Sequence, residues 1–367
     1  MHFVMELELV YLKLIGVIFF ILAGIEVFIF SINNRKNRIK KEMKNLIINE
    51  IMIGSLFIFN GIIFPFIFSN SIQQLDFGLI SKQIIEGQTY YLIMIGLISG
   101  IVSYFILILM WALRNYKKNR LISKSEWEKQ FLNKVSHRRT PTEEFKRKYF
   151  PIIIGLVIIS IHLVLNAFKE LELIISWNQG FVEMLIQYMF LVTVLFLTFI
   201  KENIRLININ LLSEYIKKQA PYRYFRQEFY TFTSRMPLFL SIIPFVYFGN
   251  SVFYTVAIIA TLSDSSASII GKQFSKFHPD FPPNKKTPEG HIAGFLITFL
   301  IIFIVNLTNP FNEINKNEIN IIAFGVALIF LLIDVYGKYI SDNILNPVLC
   351  GLTLVGLLII FQKIEFI

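Results

Sequence analysis

Residues 264–294 read DSSASIIGKQFSKFHPDFPPNKKTPEGHIAG, and residues 292–308, IAGFLITFLIIFIVNLT, carry on without one charged side chain. The second stretch is long enough to cross a hydrocarbon layer as a helix, which takes roughly 17–25 apolar residues. The first is a polar segment set between membrane-length apolar stretches. That contrast governs the whole chain. With 55% hydrophobic and 16% charged residues, 38 Phe in 367 positions and a mean hydropathy of +0.61, a soluble domain could not cover its apolar surface. The bilayer is the natural solvent.

Working outward, further candidate spans lie near 9–32, 46–69, 91–113, 150–168, 183–200, 319–337 and 344–361. Met236–Ser263, about as long as one tilted helix, is interrupted by Gly249-Asn250-Ser251 and reads as two short helices in a hairpin rather than as a re-entrant segment. The expected fold is an all-α polytopic membrane protein with about ten transmembrane helices. Residues 9–32 are too long for the apolar core of a signal peptide and lack a small-residue cleavage site, so they read as a retained helix.

The net charge of +10 is unevenly placed. Six basic residues fall in Arg35–Lys44, twelve in Arg114–Lys148 and seven in Lys201–Arg235, while the connections near 69–89, 169–180 and 308–318 are close to neutral. Basic and non-basic loops alternate, which predicts cytosolic basic loops and external termini in a multi-pass protein of the cell membrane or endoplasmic reticulum. Orientation and anionic headgroups account for the lysines, so no nucleic-acid partner is expected. Cys350, alone in the sequence, excludes an intrachain disulfide and a Cys-rich zinc site.

The informative polar groups are just as uneven. Residues 1–140 read as three membrane helices plus a basic loop, in which Trp127 and Phe131 stand at i,i+4 on an interfacial helix. Residues 141–367 hold nearly every remaining polar cluster. Asp264 ends an apolar run, and a carboxylate at that depth must be paired, protonated or metal-bound. Ser265, Ser266, Ala267, Ser268 and Gly271 after it are small enough for a ligand or another backbone to approach. Lys285-Lys286-Thr287-Pro288-Glu289-Gly290 then supplies two ammonium groups, a hydroxyl and a carboxylate where a helix opens from Pro288. Such a turn suits a polyphosphate. The pattern GxxxxGK[ST] is absent, which excludes a P-loop NTPase. His291 reads as a cap or surface residue and His162 as a buried polar contact.

Asp-x-x-Ala-x-x-x-Gly, about a dozen residues, then Lys-Lys-Thr-x-Glu-Gly and a Gly-containing membrane helix resembles the CTP-dependent lipid kinases. That group includes dolichol kinase, phytol kinase and CTP-dependent diacylglycerol kinase, and is related to the phosphatidate cytidylyltransferases. The positions are Asp264, Ala267, Gly271, Lys285, Lys286, Thr287, Glu289, Gly290 and Gly294. Arg147-Lys148 ahead of Gly155 is similar to the family's Arg-Lys-x-x-His-x-x-x-Gly, with Pro151 at the histidine position. Arg226-Gln227-Glu228 is similar to its Arg-x-x-Glu, one residue shorter. Asp342-Asn343 with Pro347 is similar to its Asp-Asn-x-x-x-Pro, and Asp334 stands where glutamate is common. The resemblance spans roughly residues 145–350.

It implies transfer of the γ-phosphate of CTP to a lipid alcohol of the polyprenol or dolichol type, on the cytosolic face. Asp264, Lys286 and Asp342 are the implied catalytic set, with Mg²⁺ organised by Asp264 and Asp342. Lys285 and Lys286 would hold the β- and γ-phosphates. Ala267, Ser268, Gly271, Thr287, Gly290 and Asn343 would line the nucleotide, while Glu289 either contacts the ribose or shapes the turn. Arg147, Lys148 and Arg226 would form a second phosphate-facing set. No general base is identified: a metal-bound Asp264 or Asp342 would be a poor one, and His291, the other candidate, reads first as a cap or surface residue. A cytidylyltransferase making a CDP-lipid is the nearest alternative, but its Lys-Asp pair, His-Gly-Gly and Asp-Arg-x-Asp run are missing from the C-terminal third. A transporter or scaffold is the other; no inverted repeat is visible, and the polar cluster lies at one membrane face rather than at the midplane.

Overall fold

The computed structural model describes residues 2–40, 44–73, 124–134, 141–170, 179–214, 227–274, 287–308, 314–337 and 340–363, with isolated positions at 110, 114, 217, 220 and 311. Among the described residues there is no strand. Helices α1 (His2–Lys40) and α2 (Lys44–Gln73) form a long hairpin. Its two limbs touch through glycines: a Cβ on Gly24 would lie 2.9 Å from the Gly54 carbonyl oxygen. A short helix α3 (Lys124–Lys134) precedes α4 (Pro141–Glu170) and α5 (Gln179–Ile207). Then come α6 (Arg235–Ile242), continued by a 3₁₀ turn to Phe248, and α7 (Asn250–Ile258). A π turn (Ile259–Ser263) leads into α8 (Asp264–Phe274), followed by α9 (Pro288–Thr308), α10 (Lys316–Tyr336) and α11 (Asp342–Ile360).

Seven described segments are long and apolar enough to cross a membrane: Gly16–Asn34, Asn45–Pro65, Glu144–Ala167, Asn250–Phe274, Pro288–Thr308, Lys316–Tyr336 and Asp342–Ile360. This makes the protein a polytopic helical membrane protein. Of the remaining expected spans, 91–113 lies almost wholly outside the described residues, and 183–200 falls within α5. Asn250–Phe274 is 72% buried, against 28–44% for the other six, so it is the axis around which they stand.

That axis corrects one expectation. The interruption in 236–263 is real and falls at Gly249, whose φ of 95° only glycine adopts without strain. The second limb does not end at Ser263, however. It runs on through the π turn to Phe274, so Asp264 lies inside a spanning helix and not at the mouth of a loop. The helix can continue through polar residues because they bond to their own backbone. Thr261 Oγ1 donates to the Ala257 carbonyl at 2.8 Å and Ser265 Oγ to the Thr261 carbonyl at 2.6 Å.

Apolar packing explains the rest. Phe57, Phe239, Phe253 and Phe330 are fully buried in one core that joins α2, α6, α7 and α10. A smaller cluster forms where Trp127 and Phe131 of α3 stack on Phe229, with ring centroids 5.0 and 5.2 Å away. The i,i+4 aromatic pair thus buries its face against the 201–235 connection, and Tyr230 donates to Glu128 across the same contact.

Candidate active site

The helical bundle brings one basic side chain of α4 to one acidic side chain of α8. Lys148 and Asp264 form an ion pair, with side chains only 5% and 8% exposed. Gly155 makes the approach possible. A Cβ there would lie 2.5 Å from Thr261 Oγ1, so α4 touches the π turn where it carries no side chain. Lys148 is seven residues from Gly155, about 10 Å along the helix, and its long side chain reaches back to Asp264. The charge of each group at this depth is met by the other, which is the condition for keeping it there.

A small cleft lies on the Lys148 side of this pair. Arg147, Lys148 and Pro151 of α4 form one wall, Glu228, Ser234 and Arg235 another, and Asn343 of α11 closes it. Side chains spread over about 200 positions are thereby joined. Glu228 accepts from the Ser234 N–H at 2.9 Å, and Asn343 Nδ2 donates to the Ser234 carbonyl at 2.7 Å. These two bonds clamp the turn that presents Arg235, whose guanidinium sits 4.8 Å above the Phe150 ring. Arg147 is held in turn by Glu144. Pro151, at the position where a histidine was expected, lines the cleft and brings no titrating group to it.

The small residues of α8 meet another backbone. A Cβ on Gly290 would lie 2.8 Å from the Ala267 carbonyl oxygen, and one on Gly271 would lie 2.6 Å from Thr287 Oγ1. Helices α8 and α9 therefore touch nearly backbone to backbone. Thr287 is engaged within this contact: its hydroxyl donates to the Gly271 carbonyl at 3.2 Å and accepts from the Gly290 N–H at 3.3 Å, capping α9. Ala267 is buried and Ser268 partly exposed. Glu289 is partly exposed, with Oε2 buried and without a hydrogen-bond partner among the described residues. Lys285, Lys286 and Arg226 lie outside the described residues. Asp342 opens α11 next to Asn343.

His291 is not a surface residue. It is 6% exposed, and its Nδ1 lies 2.6 Å from Oδ2 of Asp334, which is 1% exposed. His162 is a buried polar contact, as expected. Its Nδ1 lies 2.7 Å from Glu183 Oε1 and its Nε2 accepts from Asn166 at 3.0 Å, while Gln187 also donates to Glu183. Sequence reasoning had no way to pair His291 with Asp334, 43 positions apart, or to put Arg235 in the cleft. Arg235 read only as one of seven basic residues in a connection.

Among the described residues no three His, Cys, Asp or Glu side chains gather to hold a metal ion. A protein-built metal cage does not fit these residues. A magnesium ion held by one or two carboxylates and by phosphate oxygens is compatible with them, because Asp264 is a carboxylate next to Lys148, a residue of the cleft.

The family model for the cytidylyltransferase family matches residues 137–359, which include all of α4 to α10 and most of α11. No curated protein and no solved structure matches the chain. The matched stretch covers more than half the chain and contains every residue of the cleft, and the chain belongs to the cytidylyltransferase family.

Proposed function

We propose that the protein transfers the γ-phosphate of CTP to the hydroxyl of a membrane lipid alcohol, first of all a polyprenol of the dolichol type, yielding a lipid monophosphate and CDP. Family membership supports CTP and a membrane setting. The observation that carries the reading is the cleft itself. Arg147, Lys148 and Arg235 come together in one cleft, Arg147 held by Glu144 and Lys148 by the buried carboxylate of Asp264, while Glu228 on the wall accepts from the Ser234 N–H. Phe145 and Tyr149, beside those cations on α4, are half-exposed and apolar.

Phosphoryl transfer depends mainly on positioning and on neutralising phosphate charge. In this reading Arg147, Lys148, Arg226 and Arg235 face the phosphates, and Lys285 and Lys286 grip the β- and γ-phosphates from the segment before Thr287. Gly271, Gly290, Ala267 and Ser268 shape the nucleotide's side of the α8–α9 contact, and Asn343 with Glu289 lies at its rim. Asp264, with Asp342 as second carboxylate, is the proposed protein ligand of Mg²⁺. That ion, when bound, offsets the charge of the β- and γ-phosphates. The site is proposed to face the cytosol, the side expected for the basic loops. The absence of the Lys-Asp, His-Gly-Gly and Asp-Arg-x-Asp elements favours this chemistry over CDP-lipid synthesis.

The test is a product analysis. Purified protein is given γ-labelled CTP, Mg²⁺ and, separately, a polyprenol, phytol, diacylglycerol or phosphatidate. Label in a lipid monophosphate with release of CDP is the expected result. Pyrophosphate release with phosphatidate, and no label in lipid, would replace the proposal with CDP-lipid synthesis.

A further inference from the structure

We infer that His291, oriented by Asp334, is the proton acceptor of the site, taking the proton of the lipid hydroxyl on Nε2; this rests on the phosphoryl-transfer reading above. The geometry of the ring comes first. Nδ1 lies 2.6 Å from the Asp334 carboxylate, and both residues are more than nine-tenths buried. A carboxylate at that distance fixes the tautomer with the proton on Nδ1, which leaves the Nε2 lone pair as a base.

Nε2 is buried and has no hydrogen-bond partner among the described residues. A buried polar atom left so is costly unless a reaction or a ligand uses it. His162 provides the contrast within the same protein. It too is paired with a carboxylate, yet Asn166 occupies its second nitrogen, and that is how a purely structural histidine is satisfied.

Position supports the assignment. Ala267 of α8, Gly294 of α9 and Phe330 of α10 converge, with a Cβ on Gly294 only 3.1 Å from that of Ala267. His291 lies one turn from Gly294, Asp334 one turn from Phe330, and Asp264 one turn from Ala267. Along the helix axes His291 and Asp264 are thus about 9 Å apart, both on the seam between α8 and α9.

Chemistry decides the role. An alcohol must lose its proton to become a phosphate ester, whereas a lipid phosphate already carries a nucleophilic oxygen anion. An oriented base beside the nucleotide is needed by the first reaction and idle in the second, so the dyad selects an alcohol as substrate class. In the step, the lipid O–H bond breaks and its proton passes to Nε2. A new bond forms between that oxygen and the γ-phosphorus while the bond from phosphorus to the β,γ-bridging oxygen breaks. CDP leaves with that electron pair, and the imidazolium returns its proton to water.

The experiment compares the wild type with three variants in the γ-labelled CTP assay, with CTP affinity measured alongside. His291→Gln is expected to lose about a hundredfold or more in kcat, the scale of a general base, with CTP affinity unchanged. Asp334→Asn is expected to lose kcat as well. Added imidazole is expected to restore turnover to His291→Ala, which a packing role would not allow. Turnover by His291→Gln within about threefold of the wild type overturns the assignment, given the contribution a base makes. So does full activity in Asp334→Asn, or no response to imidazole in a His291→Ala protein that binds CTP. Wild-type protein that releases pyrophosphate overturns the phosphoryl-transfer reading and the base with it. CDP release together with an active His291→Gln overturns the base alone.

Discussion

Lys148 and Asp264 are each buried, and each is tolerable at that depth only because of the other. Removing one partner of a buried pair leaves an uncompensated charge, at a cost of about 3–5 kcal/mol, whereas removing both is far milder. Lys148→Met and Asp264→Asn are therefore each expected to lower the unfolding temperature in detergent sharply. The double variant should recover most of that loss. Under the proposed function, phosphoryl transfer should fall about a hundredfold or more in all three, which lose the proposed phosphate-facing Lys148, the proposed Mg²⁺ ligand Asp264 or both. A double variant as unstable as the singles would show that the two groups are not coupled. Asp264 was legible in the sequence as a carboxylate in need of a partner. Which of the chain's 35 basic residues satisfied it was not, since that depends on how α4 lies against α8.

At the scale of elements, the contact of α8 with α9 depends on the absence of side chains. A Cβ at Gly290 would lie 2.8 Å from the Ala267 carbonyl oxygen, and backbone cannot step aside as a flexible side chain can. Gly290→Val is expected to cost about 1–3 kcal/mol or more by overpacking, and to weaken CTP binding by separating the two helices. Gly356 provides the control, because nothing lies within 4 Å of its Cβ position. Gly356→Ala should raise stability by roughly 0.5–1 kcal/mol, the usual helix-interior gain, and leave CTP affinity alone. Melting temperature and nucleotide titration of both variants check this. Equal behaviour of the two would mean that the close approach is not what holds α8 to α9. The sequence marked these glycines as small without saying what they admitted. The structure answers that it is the neighbouring helix, and the hydroxyl of Thr287 is engaged there too.

For the whole molecule, the alternation of helices sets a testable topology. The start of α4, the end of α8 and the starts of α9 and α11 share one end of the bundle, and the start of α10 is at the other. Cys350 is 1% exposed and alone in the sequence, so the wild type should be silent to a membrane-impermeant maleimide. In sealed vesicles Lys146→Cys and Lys272→Cys should react from the same side, and Asn317→Cys only from the opposite one; all three positions are exposed. Reaction of Lys146→Cys and Lys272→Cys from opposite sides would break the arrangement of α4 against α8.

The membrane fold was determined by the sequence alone, because twenty apolar residues in a row have no other stable environment and because basic loops recur on alternate connections. The motif proposed to face the nucleotide could be picked out for the same local reason: its lysines, hydroxyl and glycines are neighbours in the chain. Tertiary structure decided the rest. Continuation of a helix through Asp264 required Lys148 to meet its charge across the bundle. The cleft required Arg147, Arg235 and Asn343 to converge from three elements. His291, weighed in the sequence as a base but read first as a cap or surface residue, gained its orienting partner only when α10 set Asp334 against it, with Nε2 left without a partner among the described residues. Hydropathy and charge alternation are properties of single segments; burial, pairing and the identity of a partner belong to the packing between them.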